Sequence, residues 1–278
     1  MGVLEFNVWL DTAFLMLWIF VILFLIFHFT LFITTGRFRK AFIEGNWPEH
    51  DSRPPATPKW LHGFHMLGII ILAITGMLIR FPVGNRIIVR DIHYFWMVVV
   101  IITLVWRVLY AFFSKTNADW REFTIGKKDL RTIGGVLKYY GYMSNEKPHV
   151  AKYNVLQKFS YLLFLVLMIV QAFSGLALLT QTIPLINASP RDLLIGWWLG
   201  ALAGSTDLAG WGARMLHYIV NWVFIIMMTV HFYLAFSVDI PCALDFFGLK
   251  EMEVHPGGHG HDEPLPAPEV APGPEPAM

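Results

Sequence analysis

His217 and His231 stand fourteen positions apart in one apolar run, ARMLHYIVNWVFIIMMTVHFYLAFSVD (213–239). At about 100° per residue, that spacing returns to within roughly 40° of the starting face. At about 1.5 Å per residue, it separates the two imidazoles by roughly 21 Å. The run is long enough to cross a bilayer. One helix therefore presents two imidazoles on one stripe, one near each side of a membrane. They are too far apart to share a metal ion. The geometry suits two stacked cofactors, and two b-type haems (heme b) are the obvious candidates.

The elements that must position these histidines follow from composition. Of the 278 residues, 56% are hydrophobic and only 15% charged, and the mean hydropathy is +0.54. Long apolar runs decide the class, since about 18 or more such residues read as a transmembrane helix. A net charge of +1 leaves no footprint for nucleic acid. The single cysteine, Cys242, excludes a disulfide framework, a thioether-linked haem and a four-cysteine cluster. Any haem is then held by side-chain ligands alone, and histidine is the ligand type available.

Five spans are expected. Residues 8–35 form the first; the run exceeds a signal-peptide core and has neither a basic leader nor a small-residue cleavage site, so it reads as a retained helix. GRFRK (36–40) follows at once and places that end in the cytoplasm, with the N-terminus outside. The second span covers 60–81 and the third 92–113. The basic loop 114–157 lies on the same side as GRFRK and repeats the orientation signal. The fourth span covers 159–180, and the opening run is the fifth. Between them, SPRDLLIGWWLGALAG (189–204) opens with a helix-start signal but is too short to cross; it reads as one interfacial helix. From 251 the chain is Pro/Gly-rich and reads as disordered. The expected fold is an all-α integral membrane protein of the inner (cytoplasmic) membrane. An extra N-terminal helix (1–40) precedes a four-helix dihaem core (41–240), and a cytoplasmic tail (241–278) follows.

This topology sorts the histidines. His93 starts span three on the outer side, level with His217. His62 starts span two on the inner side, level with His231. Two cross-helix pairs result, each able to ligate one haem axially. Packing is the plainer role for a histidine, but ionisable groups within spans are costly and usually functional. His65, one turn from His62, is the other candidate for the inner ligand, and His28 in the inner half of span one approaches the same region. His50 and His149 are loop residues, and His255, His259 and His261 belong to the solvated tail. Arg80, Arg86, Arg90 and Arg214 lie at the outer surface, where they either pair with propionates or snorkel. Gly63, Gly68, Gly76 and Gly175 are small residues that let helices or a flat macrocycle approach closely.

Four segments resemble the b-type cytochrome subunit of membrane-bound nickel–iron hydrogenases and its relative, the formate dehydrogenase gamma subunit. They are His62 with Thr75-Gly76 thirteen positions on; RDIHYFW (90–96) followed by RVLYAF (107–112); KYYGYMSNEKPHVAKYNVLQ (138–157); and RMLHYIVNW…HFYLAFSVD (214–239). The resemblance implies a dihaem anchor of a multisubunit respiratory oxidoreductase. Chemistry on the primary substrate then falls to a separate catalytic subunit, and an iron–sulfur subunit docks on the outer surface. Electrons pass between that subunit and a quinone near the inner haem. His93 and His217 would ligate the outer haem, His62 and His231 the inner one. Asn154, Gln157 and Tyr153 would lie near the quinone. Two departures stand out: Tyr153-Asn154 occupies the place of a Gly-His-Asn sequence, and span one is an addition to the four-helix core. A self-contained transmembrane haem reductase is the first alternative, weakened by the lack of a nucleotide-binding domain. A histidine-dependent proton or ion transporter is the second, and no inverted repeat supports it.

Overall fold

A computed structural model gives the fold; the described residues are 3–47, 53–81, 83–115, 117–144 and 153–254. His50, His149, His255, His259 and His261 lie outside them. The α-helices are α1 (Val3–Thr34), α2 (Ala56–Arg80), α3 (Arg86–Phe113), α4 (Lys127–Tyr140), α5 (Val155–Leu176), α6 (Leu199–Ala203), α7 (Thr206–Val238) and α8 (Ile240–Phe246). Five of them, α1, α2, α3, α5 and α7, are long and apolar enough to cross a bilayer. Among the described residues the only extended pairing is an isolated bridge between Ile183 and Ala188.

The spans begin where side chains replace missing backbone partners. Asn85 accepts from the Ile87 N–H at 3.0 Å to open α3, and Ser205 accepts from Leu208 N–H at 3.1 Å to open α7. Asp239 breaks the chain after α7 and caps α8 through Cys242 N–H at 3.2 Å; Pro241 lies in the first turn of α8, where its missing N–H costs nothing.

The closest approach is between α2 and α3. A Cβ on Gly68 would come within 2.3 Å of Val100 Cγ2, whereas one on Gly63 would meet open space. Gly68→Ala is therefore expected to overpack this crossing, at a cost of about 1–3 kcal/mol. Thermal unfolding in detergent should show a lowered midpoint for Gly68→Ala and little change for Gly63→Ala.

α1 rests chiefly on α7, and the two run in the same direction. Asp11 pairs with Arg80 at 2.9 Å and accepts a hydrogen bond from Tyr218. Phe14 stacks on Trp222 with ring centroids 5.8 Å apart, Trp18 donates to Thr229 at 3.0 Å, and His28 meets the Tyr233 hydroxyl at 2.5 Å. The contacts fall on one helical stripe of each partner. The extra helix is thus docked by ion pair, rings and hydrogen bonds over most of its length.

Segment 114–157, expected to be loop, contains the amphipathic helix α4. Val136 is buried against the bundle while Leu130, Leu137 and the lysines stay exposed. Lys158 at the start of α5 is buried. It reaches Asp129 at 2.9 Å and the Thr124 carbonyl at 3.2 Å. The Gly126 N–H, then the Lys158 ammonium, hold the Asp129 carboxyl below its ordinary value. A depressed folded value means the contribution is present above the unfolded value of about 4 and is lost as pH falls through the folded one. Acidification below about pH 4 is expected to release α4 from α5, seen as lost amide protection over Lys127–Tyr140 in hydrogen exchange. Asp129→Asn should show that looser state at neutral pH.

Two further expectations are corrected. The interfacial segment is not one helix: a π-helical turn, Asp192–Gly196, and the short α6 are broken apart at Trp197-Trp198, and Gly204 ends α6 at φ +81°. Residues 241–254 are not tail. α8 packs beside α2, where Lys59 pairs with buried Asp245 at 2.8 Å. Arg53 donates to the Met252 carbonyl at 2.8 Å, and Met252 is buried.

Candidate functional site

On α7, Gly210, His217, Phe224 and His231 recur every seven residues, so all four fall on one slowly drifting stripe. That stripe faces α2, α3 and α5. At one end His217 faces His93 of α3, ring centroids 6.4 Å apart. At the other, His231 faces His62 of α2 at 6.2 Å. Phe164 of α5 fills the interval, 6.1 Å from Phe224 and 5.9 Å from His231.

The 93/217 pair is held by the same device twice. Thr75 Oγ1 donates to the Ile71 carbonyl at 2.7 Å and lies 2.8 Å from His93 Nδ1. The hydroxyl's one proton is committed, so Nδ1 must be the donor and Nε2 carries the lone pair. Ser174 Oγ lies 3.2 Å from the Gln171 carbonyl and 3.1 Å from His217 Nδ1, which assigns the same tautomer. The Gln171 amide nitrogen stands 3.3 Å from His217 Nε2. Each hydroxyl is followed by a glycine beside the ring, tight against it at Gly175 and in ordinary contact distance at Gly76. A Cβ on Gly175 would come 3.0 Å from His217 Cε1, and one on Gly76 3.7 Å from His93 Cε1. The sequence pattern that could have revealed this is the repeated hydroxyl–glycine dipeptide, Thr75-Gly76 and Ser174-Gly175. Ser174 and Gln171 were not singled out from sequence.

The 62/231 pair is surrounded by rings instead. Phe246 of α8 lies 5.1 Å from His62. His65 does not stack in the pair; it lies near His62 and approaches the Thr103 backbone of α3, its Nε2 buried and without a hydrogen-bond partner. His28 also stays apart, its Nε2 2.9 Å from the Tyr140 carbonyl and its ring 4.7 Å from Tyr142.

The residues expected near a quinone have local structural work. Asn154 and Gln157 form a reciprocal cap of α5, Gln157 N–H to Asn154 Oδ1 at 3.0 Å and Asn154 N–H to Gln157 Oε1 at 2.9 Å. Asn154 Nδ2 also approaches the Tyr140 hydroxyl at 3.4 Å. Tyr153 stacks on Phe123 at 5.5 Å, and burial pushes its hydroxyl well above the usual phenol range. Among the arginines expected at the surface, Arg86, Arg90 and Arg214 are exposed, while Arg80 is engaged with Asp11.

These facing imidazoles suit axial haem ligation. A histidine–metal bond is about 2 Å, and a ring nitrogen lies about 1 Å from its ring centre. An ion between two imidazoles therefore holds their centroids roughly 6 Å apart. Both pairs meet that spacing. Among the described residues no group of three or more His, Cys, Asp or Glu side chains could form an all-protein metal cage.

Comparison with known proteins agrees with this chemistry. The sequence profile of the family described as prokaryotic cytochrome b561 matches residues 53–241. A protein of Cupriavidus necator described as a probable Ni/Fe-hydrogenase B-type cytochrome subunit is 22% identical over 194 residues, covering 64% of this chain and 76% of that protein. No solved structure matches the chain.

Proposed function

The chain belongs to the prokaryotic cytochrome b561 family, and from that premise we propose a dihaem membrane anchor that exchanges electrons between an iron–sulfur subunit and the quinone pool. Membership makes it an integral membrane b-type cytochrome working in electron transfer. The finer reading is carried by one observation: four histidines from three helices meet as two facing pairs at two depths of one bundle.

His93 and His217 would hold one haem b, His62 and His231 the other. Haem b, when bound, supplies reversible one-electron transfer at a potential set by its axial ligands, burial and nearby charge. Thr75 and Ser174 fix the ring orientation and tautomer of their histidines and raise their basicity. Phe164, Phe224 and Phe246 exclude water from the stripe.

GRFRK, Lys127, Lys128 and Lys138 belong to the 62/231 end, so that end would face the cytoplasm, with the N-terminus outside. The iron–sulfur subunit and its catalytic partner would then meet the 93/217 end. The Cupriavidus relative favours a hydrogenase-like partner. Quinone would exchange at the 62/231 end, where Tyr140 and Asn154 meet. With Asn154 and Gln157 occupied in the α5 cap, their part would be to fix the wall of that site, beside Tyr153.

The test is a haem count and a reduction assay on the purified protein. Two haems b per chain, reducible by a quinol in vesicles, are expected. One haem or none, or no reduction by quinol, would defeat the reading.

A further inference from the structure

We infer that Arg191 is the anchor for a propionate of the haem held by His93 and His217; the inference rests on the dihaem reading above. Arg191 lies at the 93/217 end, in the segment joining α5 to α7. Its backbone is pinned, with its N–H donating to the Leu179 carbonyl at 3.1 Å. The next residue, Asp192, accepts from the Ser189 hydroxyl at 2.6 Å and opens the π-helical turn. Beside it Ala177, Ile195, Ala209 and Ala213 form a buried cluster, so the side chain leaves a rigid base.

The guanidinium lies flat over Gly210. A Cβ there would come 3.1 Å from Arg191 Cζ and 3.4 Å from both Nε and Nη1. A side chain at 210 would press the guanidinium aside by a few tenths of an ångström. Gly210 is the first member of the histidine stripe, seven residues before His217. Seven residues advance about 10 Å and return to within about 20° of the same face. The cation therefore sits on the histidine face, one heptad beyond His217 toward the end of the bundle. A haem held at His217 would bring two propionate carboxylates, and Arg191 is the cation on that face able to hold one.

Charge points the same way. The Arg191 side chain is mostly buried, and the acids that reach it are Asp207 at 4.0 Å, a fully exposed side chain, and the adjacent Asp192, which lies beyond ion-pair distance and already accepts from Ser189. Its Nε is buried with no hydrogen-bond partner. A buried guanidinium with so weak a counter-charge is costly. A carboxylate accepting from its fork of N–H donors would satisfy it. Arg86, Arg90 and Arg214 are exposed, and Arg80 already has Asp11.

Redox titration of the purified protein tests the assignment, with Arg191→Gln and Arg191→Lys beside the parent. A cation next to a haem favours the reduced form. Arg191→Gln is expected to weaken reduction of one haem about tenfold, a fall of about 59 mV for a one-electron couple. The affected haem should be the one missing from His217→Ala. Arg191→Lys keeps a point charge and should recover part of the shift. Loss of that haem alone from Arg191→Gln would also support the anchor. Two bound haems with unchanged potentials would leave the guanidinium to a lipid phosphate and overturn it. If Arg191→Gln does not assemble, Arg191→Met decides, because it keeps an unbranched side chain and removes the charge. An unchanged potential there sinks the assignment. A parent protein with fewer than two haems would instead fail the dihaem reading itself.

Discussion

His62→Ala should yield a protein with one haem b, and His65→Ala, only three residues along the same helix, a protein with two. His62 faces His231 at 6.2 Å between ring centroids, whereas His65 approaches the Thr103 backbone of α3. Loss of an orienting partner alone typically costs a metal site about 10–100-fold in affinity. Loss of an axial ligand removes more, and haem should not survive purification at that position. His231→Ala should match His62→Ala, and the double variant should be no worse, since both delete the same site. Haem content per chain and the reduced-minus-oxidised spectrum read this directly. Retention of both haems in His62→Ala, with loss in His65→Ala, would transfer the role to His65.

The second large effect is expected from Asp11→Ala. The change leaves the Arg80 guanidinium and the Tyr218 hydroxyl facing a carboxylate that is gone. The Arg80 and Asp11 side chains are 29% and 20% exposed, so the lower end of the range for breaking a buried pair applies, about 3 kcal/mol. Hydrogen exchange should show α1 opening before the rest of the bundle. Asp11→Ala with Arg80→Leu should recover much of the loss, because the uncompensated charge is then gone too. If Asp11→Ala leaves α1 as protected as before, the rings at Phe14–Trp222 suffice to hold it.

The five spans were legible because about twenty apolar residues in a row have one physical solution in a bilayer. Their starts were read several residues late, at 60, 92 and 213 against Ala56, Arg86 and Thr206. Polar first turns such as RIIVRD carry no hydropathy signal, although Asn85 and Ser205 cap them. α4 was missed for a related reason: its lysines lower the average, and its burial rests largely on Val136. The histidine pairing was legible from spacing and span direction. What spacing could not decide was azimuth. His62 and His65 lie only about 60° apart around α2, and the position of α7 relative to that helix is a tertiary fact. Asn154 and Gln157 show the opposite limit. Their three-residue spacing is as much a capping-box signature as a site motif, and the cap is what the structure displays.

The heptad stripe of α7 also sets what the protein can become. Since His217 and His231 share one uninterrupted helix, the gap between the two imidazoles is a covalent length, changeable only in steps. One inserted residue would swing the far histidine by about 100° and point it toward the neighbouring stripe that holds α1. Seven or eleven residues restore the face to within about 20°, and a heptad adds about 10 Å. The stretch from 217 to 231 is therefore expected to resist a change in residue count, read as loss of the far histidine's pairing in a single-residue insertion variant.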